Sequence, residues 1–291
     1  MTLIFISYAA MATAIFLFNL MKIVIHDGKA HADDFLAACV CRHRLGCPVL
    51  RQACDDSMLG ESSVWVIDQG RRFEPLLRNF DHHQIEEEIC AFTMVLDYFY
   101  GKGYREYMPN LRYLEIFDSY GPKRAAEFAG IKEDSLDLIT SPIHTSLLRA
   151  FSSIEGEVQE PFIDLMSEIG KEICGQIEIK EELLSALTNQ ATIFVHEGTT
   201  VLDTTSCMMP EGMAHDQLPT KMWCKRHGLN PEVILNIDSR GNGYRMVSIN
   251  TDSLKFLPNP MSTFTHNSGF LTVFPNVMDY QTILSSHVVR P

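Results

Sequence analysis

The chain has 291 residues, with 37 acidic and 24 basic side chains, a formal net charge of −13, 46% hydrophobic residues and 21% charged ones. This globular composition is long enough for one large or two ordinary domains of roughly 100–200 residues each, and it excludes disordered, collagen-like and solenoid readings. So acidic a balance argues against a broad basic surface that grips duplex nucleic acid, and leaves room for a small or single-stranded phosphate substrate whose charge is met by bound metal.

In chain order, residues 1–21 carry no charge. A helix of that length can span a bilayer, which takes about 20 apolar residues, but the segment lacks the basic start of a secretory signal. Met21 stands directly before a strand-like run, so a translation start at Met21 is the preferred reading, ahead of a membrane anchor and a buried helix. The eight cysteines (Cys39, Cys41, Cys47, Cys54, Cys90, Cys174, Cys207, Cys224) form no Cys-x-x-Cys pair. They read as reduced thiols of a cytoplasmic protein.

Beyond Met21 the pattern predicts a strand over 22–26, a helix over 32–46 ended by Gly46, and strands over 48–52 and 64–68. Helices follow over 91–100 and 110–120, the latter stopped by Gly121-Pro122. This alternation predicts a parallel sheet covered by helices. From about 121 to 189 strands disappear, and amphipathic stretches such as 164–187 predict a helical connector. Strands return at 192–196, 233–238, 243–250 and 270–274, giving a second, smaller α/β or α+β domain with a hinge near 185–190. The expected division is 1–20, 21–130, 131–190 and 191–291.

Metal-binding residue types recur at the carboxyl ends of the predicted strands. His26 closes the first strand, and His31 and Asp33 follow at the start of the helix. Asp68 closes 64–68, and Asp81-His82-His83 follows the short run 77–80. In open α/β sheets that edge is where ligands bind. Each piece alone has a plain structural explanation: a helix cap for Asp33 or Asp34, a turn residue for Asp68 before Gly70, a solvated loop for adjacent histidines. Their joint occurrence points to a site. Mixed imidazole and carboxylate ligands suit first-row divalent ions, and three His with three or four Asp exceed the needs of one ion. A pair sharing a carboxylate is the natural count; such pairs clamp a phosphoryl group and generate hydroxide at neutral pH.

The runs His26-Asp27-Gly28-Lys29-Ala30-His31-Ala32-Asp33-Asp34, Val66-Ile67-Asp68-Gln69-Gly70 and Phe80-Asp81-His82-His83-Gln84 resemble the MYG1 (UPF0160) family of the DHH phosphoesterase superfamily. That superfamily includes exonucleases, oligoribonucleases, cyclic-dinucleotide phosphodiesterases and family II pyrophosphatases. The resemblance covers roughly 22–130, and Thr265-His266-Asn267-Ser268-Gly269-Phe270 is similar to the family's closing motif. It implies a DHH-type domain of parallel sheet, a helical connector and a smaller, DHHA1-like C-terminal α/β domain that binds substrate.

Carried over, the resemblance implies that His26, His31 and Asp68 hold one divalent ion, manganese being expected. Asp33, the bridging Asp68, His82 and Asp118 would hold a second. Asp81 would orient the histidines and His83 would contact the scissile phosphate or the leaving oxygen. His266, Ser268 and Gly269 look like a substrate clamp, with an ordinary turn between strands as the alternative; Arg240 and Arg245 are possible phosphate partners because guanidinium forks match phosphate, with solvated surface the preferred reading of either alone. Where the family has a Ser-Ser-Ala-Gly run, this chain has Ala91-Phe92-Thr93-Met94, a departure that leaves the metal residues in place and bears on substrate choice.

The expected activity is a two-metal phosphodiesterase, an exonuclease on single-stranded RNA or short oligonucleotides, with no stable binding to duplex DNA. A pyrophosphatase or nucleotide phosphatase is the enzymatic alternative. A metal- or RNA-binding regulator without catalysis is the alternative of another class.

Overall fold

The computed structural model describes residues 21–136, 140–207, 218–238, 243–275, 280–286 and 288–289. The readings of 1–20 as a spurious start, an anchor or a core helix, and of Arg240 as a phosphate partner, lie outside the described residues. Among the described residues no helix is long and apolar enough to cross a membrane. The chain divides into two compact units, one up to Gln176 and one from Ile177.

The first unit is built on strands β1 (Lys22–Ile25), β2 (Val49–Arg51), β3 (Val64–Ile67), β4 (Phe73–Glu74), β5 (Asn79–Phe80) and β6 (Gly156–Glu157). Their order is β4-β5-β3-β1-β2-β6. The four central strands run parallel, while β4 and β6 pair antiparallel at the two edges. Ile23, Val24 and Ile25, like Val64, Val66 and Ile67, are wholly buried, as expected of parallel strands covered on both faces. The sequence pattern put no strand between 121 and 189; β6 is the exception, a two-residue edge too short to leave a period-2 signal.

Helix α1 (Ala32–Leu45) connects β1 to β2 and ends where Gly46 turns left-handed at φ +67°. Helix α2 (Ala91–Tyr100) packs on α1. Helix α3 (Asn110–Ala129) is broken at Gly121, whose φ of +79° interrupts it before Pro122, and then resumes to Ala129. The Gly-Pro pair therefore kinks the helix rather than ending it, because proline is tolerated in the first turn of the resumed segment. Helices α4 (Pro142–Ser152) and α5 (Phe162–Gln190) complete the helical region. A Cβ at Gly170 would stand 2.1 Å from the Cys39 carbonyl oxygen, so α5 approaches α1 at a distance only glycine permits.

After β1 the chain crosses to β2 on one side, and then to β3 on the other side of β1. The carboxyl ends of β1 and β3 thus flank the point where strand order reverses, the place where such sheets open a crevice.

The second unit holds a mixed sheet of order β12-β13-β10-β9-β8-β7. Its strands are β7 (Thr192–His196), β8 (Thr199–Asp203), β9 (Val233–Asp238), β10 (Gly243–Ser248), β12 (Phe264–Thr265) and β13 (Leu271–Pro275), with a separate pair β11 (Lys255–Phe256) and β14 (Val288–Val289). Only β8 and β9 are parallel. Alternation along β8 and β9 divides the core: Val201, Val233 and Leu235 pack with Met246 and Phe274, whereas Leu202 and Ile234 pack with Leu183, Leu187 and Trp223. Helices α6 (Leu218–Arg226) and α7 (Tyr280–Ser286) accompany the sheet.

Candidate metal centre

The groups at the carboxyl edge of the first sheet converge. Three sets of potential ligand atoms lie within 4.8 Å of one another: His26, His31 and Asp68; Asp68, His82 and His83; His31, Asp33 and Asp118. Asp68 and His31 each belong to two sets. A cavity of about 550 Å³ opens on them, lined by His31, Asp68, His82, His83 and Asp118.

Local backbone geometry places each group. Asp68, one residue past β3, has φ +55°, the left-handed region a non-glycine residue rarely adopts. Its amide N–H donates to Phe80 O at 2.9 Å, so the strained residue is pinned between β3 and β5, as is common at functional sites. Gly70 at φ +91° leaves no room for a side chain, since a Cβ would sit 2.6 Å from Leu59 Cδ2. Asp118 lies three residues before the Gly121 break in α3.

The polar contacts match what cation ligands need. His26 Nδ1 donates to Asp27 O at 2.6 Å, which fixes the ring and leaves Nε2 facing Asp34 Oδ2 at 2.8 Å and Asp68 Oδ2 at 3.6 Å. A ligating histidine characteristically donates its other nitrogen to a carbonyl or carboxylate. His82 Nε2 lies 2.9 Å from Asp118 Oδ2 and 3.3 Å from Asp68 Oδ1. Asp81 is held by N–H donors: His83 N at 3.0 Å, His83 Nδ1 at 2.7 Å and Arg71 N at 2.6 Å. These contacts overcome burial and keep its carboxyl below the usual carboxylate range.

Asp33 tests whether a cation fits. It is 0% exposed, and neither carboxylate oxygen meets a hydrogen-bond donor. Burial, with the like charges of Asp68, Asp118 and Asp34, pushes its carboxyl well above the usual range. Burial likewise raises Asp68, partly offset by His82. Buried carboxylates facing one another without donors are costly unless a cation joins them. The imidazoles supply part of that charge: the Asp34 hydrogen bond lifts His26 to about 9, and although burial opposes it, Asp118 and Asp68 lift His82 to about 10. The donor set of imidazole nitrogens and carboxylate oxygens suits first-row divalent ions.

Two supporting residues escape a reading of motifs. Asp34 bridges the site through both oxygens, with Oδ1 accepting the His31 N–H at 3.1 Å and Oδ2 facing His26. Its signal is the acidic residue at the third position of a helix, the place of a capping box. Arg51, 1% exposed, donates through Nη2 to His26 O at 3.2 Å and Gly28 O at 2.8 Å, and through Nη1 to Phe151 O. Its signal is a charge in an otherwise apolar strand.

In the second unit His266, Ser268 and Gly269 form the tight turn from β12 to β13, with His266 N donating to Leu271 O at 2.9 Å and Gly269 N to His266 O at 2.8 Å. His266 Nδ1 accepts the Ser268 N–H at 3.2 Å, which leaves the proton of the neutral ring on Nε2. Arg245 lies within β10, only 4% exposed.

The first unit is therefore a mixed α/β body whose sheet edge carries a cluster of buried acid and imidazole that could hold metal ions. Residues 22–94 match the family model MYG1_exonuc, described as an uncharacterised protein family (UPF0160), and this match supports the resemblance of that stretch to the MYG1 family. A comparison with curated proteins finds no match. Among solved structures, an exopolyphosphatase-related protein from Bacteroides fragilis is 11% identical, with a TM-score of 0.24 over 98% of this chain and 96% of that one. A likeness at that level carries no argument.

Proposed function

We propose that the chain is a divalent-metal-dependent phosphoesterase with a DHH-type centre, acting as an exonuclease on single-stranded RNA or short oligonucleotides. The observation that carries this reading is Asp33, wholly buried and without a donor beside Asp118 and His31. The family's name, which points to exonucleases, supports the substrate class.

His26, His31 and Asp68 would hold one ion, and Asp33, Asp68, His82 and Asp118 the second, with manganese the expected metal. Ions bound there supply positive charge against the phosphoryl oxygens and lower the pKa of water. Asp81 and His83 do the remaining work. Asp81 fixes His83 through Nδ1 and stabilises the imidazolium, whose Nε2 proton passes to the leaving oxygen as the phosphorus–oxygen bond breaks. The proton is restored from the water whose oxygen bonds to phosphorus. The second unit, with His266 and Ser268 exposed in the turn that buries Gly269, serves to bind the substrate chain. The cysteines, seven of the eight buried, read as the reduced thiols of a cytoplasmic protein.

Incubation with manganese and 3′- or 5′-labelled RNA, DNA, cyclic dinucleotides and pyrophosphate tests the reading. Release of mononucleotides from one RNA end, abolished by EDTA, is the expected result. Preferential cleavage of pyrophosphate would make the protein a pyrophosphatase. Stoichiometric binding of manganese and RNA with no turnover of any substrate would end the enzymatic reading in favour of a regulator.

A further inference from the structure

The wall of the cavity away from the ligand groups has a different character. Ile85, Glu86, Glu87, Ser119 and Tyr120 form it, and no Lys or Arg lines the cavity among the described residues. Tyr120 follows Asp118 by two residues and stays 52% exposed. Its hydroxyl donates to Glu86 O at 3.0 Å, and the neighbouring Ser119 Oγ donates to Ile89 O at 3.0 Å. Arg112 Nη1 adds a third bond from α3 to the same loop, to Glu88 O at 3.0 Å. The loop is thus stitched to the helix, and the polar tip of Tyr120 is spent on that bond. What remains for a ligand is a rigid, apolar ring beside the phosphate position, with two exposed carboxylates next to it.

We propose that Tyr120 is a specificity-determining residue: its ring is the platform for a flat, uncharged organic group attached to the bound phosphate, and Glu86 with Glu87 excludes a second phosphate from that end of the cavity. The inference rests on the phosphoesterase reading of the same cavity. Aromatic rings hold nucleobases by stacking that tolerates sequence, and a ring already fixed by its hydroxyl loses little freedom on binding. A linear polyphosphate has no flat group to stack and brings further negative charge against two carboxylates, with no Lys or Arg among the described lining residues to offset it. The device therefore selects a nucleoside phosphate ester over inorganic pyro- or polyphosphate, and admits the ester with its base, rather than a continuing phosphate chain, on the Tyr120 side.

Isothermal titration of the full chain with AMP, inorganic phosphate and tripolyphosphate, in manganese and in EDTA, reads the device without turnover. Wild-type protein in manganese should bind AMP more tightly than phosphate. Tyr120→Ala should lower the AMP-to-phosphate affinity ratio roughly tenfold, the scale of one base stacked on one ring. Tyr120→Phe should keep the ratio, whereas a residue that merely anchors the loop would lose as much in the Phe variant as in the Ala variant. The Glu86→Gln/Glu87→Gln double variant should gain affinity for tripolyphosphate relative to phosphate. No AMP preference in the wild type, an unchanged ratio in Tyr120→Ala, or equal losses in both Tyr120 variants overturns the proposal. Should the Ala variant fail to fold, Tyr120→Leu and the wild-type preference decide. The two readings fail separately: AMP selectivity through Tyr120 without hydrolysis of any ester removes the enzyme and leaves the platform. Manganese-dependent hydrolysis with unchanged KM in Tyr120→Ala removes the platform and leaves the enzyme.

Discussion

The two units bury polarity in opposite ways. In the first, Asp33, Asp34, Asp68 and Asp81 are all sequestered at one sheet edge, and Asp33 has no donor for either oxygen. In the second, most buried polar side chains are hydroxyls and amides that close their own hydrogen bonds. Ser248 Oγ donates to Leu254 O at 2.7 Å, Thr204 Oγ1 to Leu235 O at 3.0 Å, and the Thr265 and Thr272 hydroxyls meet at 3.0 Å. A hydroxyl satisfied within its own sheet needs nothing further. Carboxylates crowded together need a counter-charge, which the neighbouring imidazoles supply in part and a bound cation could complete. The first unit thus concentrates buried charge at one edge, while the second closes most of its buried polarity within its own sheet.

Activity separates the units most sharply. Asp68 joins two of the three ligand sets, so Asp68→Ala should drop kcat on a labelled oligonucleotide to background. His266→Ala, in the exposed turn of the second unit, should raise KM and spare kcat. Complete loss of kcat in both variants would place the second unit in the chemistry itself and dissolve the contrast.

Stability should divide in the same way. A ligand present at a hundred times its Kd stabilises the folded form by about 2.7 kcal/mol, which for a unit of this size is a rise in Tm of roughly 5–10 °C. Manganese should raise the melting transition of the first unit by that amount, EDTA should reverse it, and the transition of the second unit should not move. Asp33→Asn should lose the response while making the ion-free protein more stable, because it removes a buried charge that has no donor. Equal shifts in both transitions, followed by hydrogen exchange, would count against a cation site confined to the first sheet edge.

A third test addresses the support beneath the site. Arg51 contacts three carbonyl oxygens, two of them in the His26–Gly28 turn. Arg51→Met leaves those oxygens unsatisfied and should cost about 3 kcal/mol, with weaker manganese binding. Thr272→Val in the second unit, which removes one neutral hydroxyl, should cost about 1 kcal/mol. Comparable losses on denaturant titration would show that Arg51 is no more than ordinary packing.

Much of this arrangement could be read from the chain. Val64–Ile67 and Ile23–Ile25 are continuous apolar runs, and each is followed by a residue with no business in a core, Asp68 or His26. Composition and strand ends therefore mark the edge where the candidate ligands gather. The short elements were not legible: β6 and β12 have two residues each and exist because longer strands offer them an edge, a tertiary cause with no local pattern. Arg51 was missed for the same kind of reason, since it reaches a carbonyl a hundred positions away. Asp34 was legible as the helix cap it is, its Oδ1 accepting the His31 N–H, but not as the partner of His26. Tyr120 was invisible because an exposed aromatic residue acquires meaning only from the cavity beside it.

The smallest effect tests the turn of the second unit. Gly269, read from the sequence as a place where backbone approaches phosphate, has φ +75°, and a Cβ there would lie 2.9 Å from Phe256 O and 3.0 Å from Lys255 Cβ. The glycine is therefore required by the chain itself, where the turn packs against β11 and Phe256 N donates to Gly269 O at 2.9 Å. His266 in the same turn is exposed, and its Nδ1 is engaged only locally, with Ser268 Oγ and the Ser268 N–H. Gly269→Ala should consequently destabilise the second unit by about 1–2 kcal/mol, the cost of a non-glycine residue in a strained left-handed position. His266→Ala should change stability by no more than about 0.5 kcal/mol, as exposed substitutions do, and act on KM alone. Both are measured by thermal unfolding beside steady-state kinetics. If Gly269→Ala left the melting transition unchanged and raised KM as His266→Ala does, phosphate approach rather than packing would explain the glycine, and the second unit would also be built around a ligand.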